Sequence, residues 1–223
     1  MMQLYTGNKN YSSWSMRAWL ILKHFELPFQ DHFVAFDDFS ADGQFKQQLS
    51  KLSPAGKVPV LLHDQLAVWD TLAIAEYLAE QFPQKHLWPQ DRLQRARART
   101  VTAEMHSGFM QLRSLCPMNI EADLSAVGQQ LWQQHVGLRQ DVQRVEQIWS
   151  EADGFLFGDF SIADAFYAPV VMRLMSYRLP VTELSQQYMQ KIQHLPAVRQ
   201  WMDAAKREHL FVQADEPYRT SGG

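Results

Sequence analysis

The sequence predicts an α/β domain over residues 1–82 followed by an all-α helical bundle over residues 92–212. Three observations carry that reading. Short apolar and β-branched runs alternate with helical patterns only as far as residue 82. After about residue 90 every patterned segment has helical spacing. Between the two, Pro83, Trp88 and Pro89 punctuate a stretch that reads as a linker over 83–91. With 223 residues the chain can form one or two domains and bury a substantial core.

Residues 2–6 suit a short strand. From Trp14 the apolar positions Ala18, Ile21, Leu22 and Phe25 recur at helical spacing, and the helix must end before Pro28, which disfavours helical backbone at its predecessor. Residues 29–36 are rich in aromatic and β-branched side chains and suit a second strand. Residues 37–52 lack a pattern and read as loop. A hairpin over 57–69, turning at His63-Asp64, leads into a helix over 71–82. Pro59 cannot donate to a ladder, so it marks a strand start, an edge or a bulge. The order is β-α-β and then β-β-α, that of a thioredoxin-like domain with a mixed four-stranded sheet.

In the second unit no proline interrupts Arg92–Leu115, which reads as a long helix. Further helices are predicted at about 124–152, 161–178, 184–194 and 196–209, separated by Pro117, Gly154, Pro180 and Pro196. Ser161-Ile162-Ala163-Asp164 has capping-box spacing, with Phe160 and Ala165 placed as a hydrophobic staple. Residues 213–223 are polar and read as a flexible, frayed tail.

Composition narrows the function classes. Hydrophobic residues make up 46%, charged residues 20%, and the net charge is -3. This describes a folded globular chain without the basic excess of a nucleic-acid binder. Arg92, Arg95, Arg97 and Arg99 cluster, but without interleaved aromatics they read as a solvated helix face. No basic-then-apolar leader opens the chain and no apolar run is long enough to span a bilayer, so a cytoplasmic location and no membrane partner are expected. The one cysteine, Cys116, excludes an intramolecular disulfide, and the eight histidines lack metal-ligand spacing, so no metal is expected.

Three widely separated motifs then point to a family. Ser12-Ser13-Trp14-Ser15-Met16-Arg17 opens the first helix, Val58-Pro59 begins the hairpin, and Asp70-Thr71 opens the helix that follows it. Together with the late capping box they resemble, in family order and over all but the tail, the cytosolic glutathione transferases, and most closely bacterial, zeta-like (serine-type) members. Trp14 stands where that signature has a cysteine, and Asp70-Thr71 replaces an acid-serine pair, with Asp for Glu and Thr for Ser.

The resemblance implies glutathione as co-substrate and a role for each residue. Ser12 would donate a hydrogen bond to the glutathione sulfur, with Ser13 the next candidate, and Arg17 would assist electrostatically or bridge the domains by an ion pair. Val58, ahead of a cis proline bond at Pro59, would pair with the cysteinyl backbone. Asp70 and Thr71 would hold the γ-glutamyl end and Lys57 the glycyl carboxylate. Each has a simpler reading: Ser12, Ser13 and Asp70 as helix caps, Pro59 as an edge proline, Lys57 as a solvated surface charge.

A second-substrate pocket is expected between the domains, lined by Trp14, Met105, Phe109 and Arg113, although Met105 and Phe109 also fit core positions. His106 reads either as a base or as a structural histidine. Where zeta-like isomerases place a substrate-binding arginine, counting from Asp164, this chain has Ser176; Arg173 lies one turn earlier.

The leading expectation is a glutathione transferase of detoxification type, attacking small, largely apolar electrophiles as a homodimer. A glutathione-dependent cis-trans isomerase and a non-catalytic, protein-binding adaptor of the same fold are the alternatives. A cysteine-dependent exchange enzyme is disfavoured, because the first helix contains no cysteine.

Overall fold

The computed structural model describes residues 1–37, 39–152 and 154–220. The first domain contains β1 (Met2–Thr6), α1 (Ser13–His24), β2 (Phe29–Phe33), α2 (Gln44–Leu49), β3 (Val60–His63), β4 (Leu66–Trp69) and α3 (Thr71–Gln81). The sheet order is β2-β1-β3-β4, with β1 parallel to β2 and the β1–β3 and β3–β4 pairs antiparallel. Parallel neighbours need a crossover, which α1 supplies. Met2, Leu4 and Thr6 alternate inward along β1 as the strand period requires.

The mixed thioredoxin-like sheet is thus as expected. The loop assigned to 37–52 holds one unforeseen helix, α2, whose apolar positions Phe45 and Leu49 are buried. Six residues give too short a window for helical period to show. Asp37 fixes the entry to this helix, its carboxylate accepting from the amides of Phe39 (2.8 Å) and Phe45 (2.9 Å).

The second domain comprises α4 (Arg92–Ser107), α5 (Met110–Leu115), α6 (Ser125–Gln134), α7 (Val136–Trp149), α8 (Ile162–Ser176), α9 (Glu183–His194) and α10 (Pro196–Glu208). Two helices expected to be continuous are broken. The 92–115 helix stops at Gly108, and Phe109 adopts a left-handed φ of 55°. Arg113 reaches back to the carbonyls of His106 and Gly108, each at 3.3 Å, and takes up acceptors that the helix end leaves free. The 124–152 helix breaks at His135, where Arg139 donates to the carbonyls of Trp132 and Gln133. An arginine that satisfies terminal carbonyls permits a break no proline announces.

The central helix is α8, buried along nearly its whole length against α1 and α4. Its capping box forms as expected: Ser161 N donates to Asp164 Oδ2 at 3.0 Å. Asp164 Oδ1 also accepts from Leu156 N (3.0 Å) and Tyr188 Oη (2.9 Å). Burial pushes its carboxyl up to about 6. Gly128 lets α6 approach the end of α8, since a Cβ there would lie 1.9 Å from the Tyr177 carbonyl oxygen.

α1 joins the domains, touching β1 and α3 on one side and α8 and α10 on the other. The expected frayed tail is corrected over its described part. Gln213–Asp215 forms a single 3₁₀ turn, and Glu216, 2% exposed, accepts from Tyr11 Oη (2.7 Å) and Asn119 Nδ2 (2.8 Å). A polar tail docks when its charges find buried partners, and pairing across some 200 residues leaves no local signal. Residues 221–223 of the expected tail lie outside the described residues.

Cys116 is wholly buried, and burial raises its thiol pKa to about 12. No helix is long and apolar enough to cross a membrane. Among the described residues no group of three or more His, Cys, Asp or Glu side chains is placed to hold a metal ion.

Candidate functional site

Two clefts meet at Trp14. The first, of about 400 Å³, is lined by Trp14, Ala55, Lys57, Val58, Pro59, Trp69, Asp70 and Thr71. Every residue assigned to glutathione binding from sequence therefore faces one cavity. The second, of about 580 Å³, shares Trp14, Lys57 and Val58 and adds Ser12, Ser13, Arg113, Arg173 and Asp215, with Phe36, Phe39 and Phe45.

The hairpin and the start of α3 shape the first cleft. The Val58-Pro59 bond is cis. Pairing in β3 starts only at Val60, so Val58 stands outside the ladder. Asp70, with φ of 70°, caps α3: its Oδ1 accepts from Leu72 N at 2.8 Å and Ala73 N at 3.5 Å. Its Oδ2 faces His106 Nε2 at 3.3 Å, across the domain boundary. Each carboxylate oxygen thus has its own task. Because Oδ1 occupies two of the helix-terminal amides, a ligand carboxylate at this helix end falls to Thr71. Lys57 is exposed on the cleft wall.

At the N-terminus of α1, Ser12 is the cap. Its Oγ accepts from Ser15 N at 3.3 Å and lies 2.7 Å from Ser15 Oγ, which accepts from Gly7 N at 3.0 Å. A hydroxyl hydrogen rotates to suit its surroundings. When Ser15 donates to Ser12, the Ser12 hydrogen is free to point into the cleft. The capping and donor roles therefore coexist on one oxygen. Ser13 Oγ accepts from Arg173 Nη2 at 3.2 Å, so its hydrogen is also free to donate.

Around these serines stand three arginines without a paired carboxylate among the described residues. Arg17, 1% exposed, holds its guanidinium over the rings of Trp14 (4.3 Å) and Phe166 (4.9 Å), and its Nε and Nη1 have no hydrogen-bond partner among the described residues. The expected interdomain ion pair is corrected to cation-π contacts, because among the described residues no carboxylate lies within ion-pair range of Arg17, whose guanidinium is covered by Trp14 and Phe166. Burial, then the charges of Arg173 and Arg113, hold its pKa well below the usual range. Arg113 also lies over Trp14, at 4.9 Å, and burial lowers its pKa. Arg173 donates to Ser13 and to the carbonyls of Cys116 (2.9 Å) and Pro169 (3.3 Å), and burial brings it to about 10, so it stays charged at neutral pH.

Two assigned pocket residues leave the pocket. Met105 (0% exposed) and Phe109 (6%) belong to the core, where Phe109 meets the Tyr167 ring, whereas Met110 lines the cleft in their stead. The break after Ser107 turns that stretch away from the helical phase a continuous helix would have. Ser176 is not a cleft residue either, since its hydroxyl bonds to the carbonyls of Asn119 and Met172. Arg173, one turn earlier, is the arginine that reaches the cleft.

Sequence reasoning missed the aromatic wall and Asp215. Phe36, Phe39 and Phe45 meet edge to face with centroids 5.1–5.3 Å apart, and Gly7 leaves room for Phe36, whose ring would lie 2.1 Å from a Cβ. Three phenylalanines within ten residues of an otherwise polar loop were the available signal. His106 is half-buried against Trp14, with ring centroids 5.2 Å apart. Burial lowers its pKa, against the pull of Asp70 and with the repulsion of Arg17 and Arg113.

A buried hydroxyl donor at a helix N-terminus, with cations nearby, stabilises a bound thiolate. The two clefts offer a peptide-like ligand on one side and an aryl or anionic group on the other.

Comparison with known proteins agrees. Residues 11–81 match the glutathione S-transferase N-terminal domain and residues 94–204 the glutathione S-transferase C-terminal domain. The chain is 31% identical over 174 residues to glutathione S-transferase 1 of Dianthus caryophyllus, covering 77% of this chain and 76% of that protein. Maleylacetoacetate isomerase of Rattus norvegicus is 27% identical over 218 residues, covering 96% and 94%. A solved glutathione transferase homologue from Burkholderia, with bound glutathione, superposes with a TM-score of 0.66 at 27% identity, covering 92% of this chain and 98% of that one.

Proposed function

The chain belongs to the glutathione S-transferase family, and on that premise we propose that it binds glutathione in the first cleft, activates it as a thiolate at Ser12 and transfers it to an electrophile in the second. The observation that carries this reading is the convergence of Lys57, Val58, Pro59, Asp70 and Thr71 on one cavity that meets the Ser12 cavity at Trp14. Val58 offers its backbone to the cysteinyl unit, Asp70 Oδ2 takes the γ-glutamyl ammonium, and Thr71 and Lys57 take the two carboxylates. Ser12 donates to the sulfur, with Ser13 beside it. Trp14 and Arg113 border the second substrate, and Arg17 acts through Trp14.

The energy required is modest. A free thiol titrates near 8.5, so lowering it by about two units takes roughly 2.7 kcal/mol. A hydrogen bond to a charged group contributes about 1.5–3 kcal/mol and a helix N-terminus several tenths more.

A specific observation also favours the isomerase reading. Arg173, hydrogen-bonded to Ser13, stands in the second cleft and can seat a carboxylate. A largely apolar substrate accordingly gives way to one with an aryl or conjugated body, set against Phe36, Phe39 and Phe45, and an anionic end. The protein is taken to work in the cytoplasm as a homodimer. Exposed Leu66 and Trp69 on β4 and Leu93 on α4 give the two domains apolar surface to pair across copies. Light scattering at micromolar concentration should give a dimer mass, and a monomer mass would refute the pairing.

The deciding experiment titrates glutathione into the protein across pH while following thiolate absorbance. Saturable binding with a bound thiol about two units below the free value is expected. Ser12→Ala should return the thiol towards its free value and lower kcat/KM about 100-fold, with a smaller effect from Ser13→Ala. The reverse ranking would assign the thiol to Ser13. Failure to bind millimolar glutathione would instead favour a protein-binding adaptor.

A further inference from the structure

The segment after α10 crosses back over the first domain and closes one side of the second cleft. Tyr11 Oη donates to Glu216 Oε1 at 2.7 Å and lies 3.2 Å from the Leu210 carbonyl oxygen. Asn119 and Arg219 also donate to Glu216, and Tyr218 Oη reaches the Leu115 carbonyl at 2.8 Å. The strap is therefore pinned on both sides of Asp215, whose own amide donates to Val212 O at 2.9 Å. Asp215 lines the cavity that also holds Ser12, Ser13 and Arg173, and its Oδ2 is buried with no hydrogen-bond partner among the described residues. A carboxylate oxygen buried without a donor is costly, which biases the carboxyl towards its protonated form.

We propose that Asp215 is the proton donor of this site and that it fits the second cleft for completed addition of glutathione to α,β-unsaturated carbonyl compounds. This deepens the transferase reading above and rests on it. The glutathione thiolate forms the new C–S bond at the β-carbon with its own electron pair. The π pair of the C=C bond moves to give an enolate. As the carbonyl re-forms, the α-carbon takes the proton of the Asp215 carboxyl, which solvent then restores, while the proton lost by the thiol has gone to solvent. Without that proton the enolate waits on solvent and more readily expels the sulfur again, which returns the alkene, isomerised where the Cα–Cβ bond has turned in the adduct. Displacement of halide from an aryl ring needs no such proton, so the two reactions separate the role.

Glu216, beside it, is the charged group that acts on Asp215; Tyr11 from the β1–α1 loop and the cations Lys46, Lys57, Arg113 and Arg173 line the same cleft. Burial first, and then the charge of Glu216, raise its carboxyl to about 6. The acid form is the working form, so addition should weaken relative to displacement as pH rises above about 6.

The test uses the full chain with glutathione and two electrophiles, an enone and an activated aryl chloride, from pH 5 to 8. The ratio of the two kcat/KM values cancels thiolate formation. In the wild type this ratio should fall as pH rises. In Asp215→Asn it should be at least tenfold lower at pH 5.5 and flat with pH, with partial recovery in Asp215→Glu. A ratio unchanged in Asp215→Asn would overturn the proposal, as would equal loss of both reactions in the Asn and Glu variants, which marks a structural residue. A wild type that turns over neither electrophile would instead overturn the transferase reading and the proposal with it.

Discussion

Among single residues, Asp70 bears the most divided task. Oδ1 caps α3 and Oδ2 faces His106, so the aspartate that replaces the family glutamate is positioned from two sides. Asp70→Asn keeps a competent cap but loses the charge; glutathione should bind about 10–100-fold more weakly by calorimetry, the worth of one charge-assisted contact. His106 makes that contact sensitive to acid. Its pKa is held below the ordinary 6.5, chiefly by burial, so at neutral pH the ring is uncharged and, in the proposed complex, leaves Asp70 to the ligand ammonium. As pH falls through that lowered value, His106⁺ pairs with Asp70 and competes. Affinity for glutathione should therefore drop on the acid side in the wild type and not in His106→Asn; identical profiles would remove His106 from the subsite. Most of this site was legible as residue types in motif order. The His106–Asp70 contact was not, because it joins two domains and neither residue signals the other locally.

Secondary-structure elements divide by how local their signals are. The capping box of α8 was readable because its donor and acceptor lie three residues apart. What sequence did not disclose is that Asp164 also receives Leu156 N and Tyr188 Oη, tying the 155–160 turn and α9 to the start of the central helix. Asp164→Ala would orphan several buried donors and should destabilise the protein by at least about 3 kcal/mol in urea unfolding. Loss of under 1 kcal/mol would mean that these groups find other partners. The breaks at Phe109 and His135 escaped notice for the opposite reason. They are made by Arg113 and Arg139, which sit one turn downstream and carry no signal in the sequence that they cap a helix end. The first break decides the pocket, since it turns Phe109 into the core and presents Met110 and Arg113 to the cleft, while Met105 is buried by the phase of α4 itself.

Across the whole molecule, the two domains are joined by contacts that alternate between them. Asn10 Oδ1 accepts from the amides of Ile120 and Glu121, Trp201 Nε1 donates to Lys9 O, and Arg173 holds Ser13. Tyr11 adds the C-terminal strap. A boundary this tightly bonded leaves neither domain with a finished surface of its own. Far-ultraviolet dichroism and tryptophan fluorescence should report one coincident unfolding transition; separated midpoints would show that the domains unfold independently. The same enclosure determines the fate of the lone thiol. Cys116 lies wholly inside, with its proton held to about pH 12 and so almost no nucleophilic form at working pH. A catalyst that concentrates electrophiles beside a sulfur anion runs the hazard of alkylating itself. Here the one thiolate within reach of the substrate arrives with the co-substrate and departs with the product, which spares the chain's own thiol from its reaction.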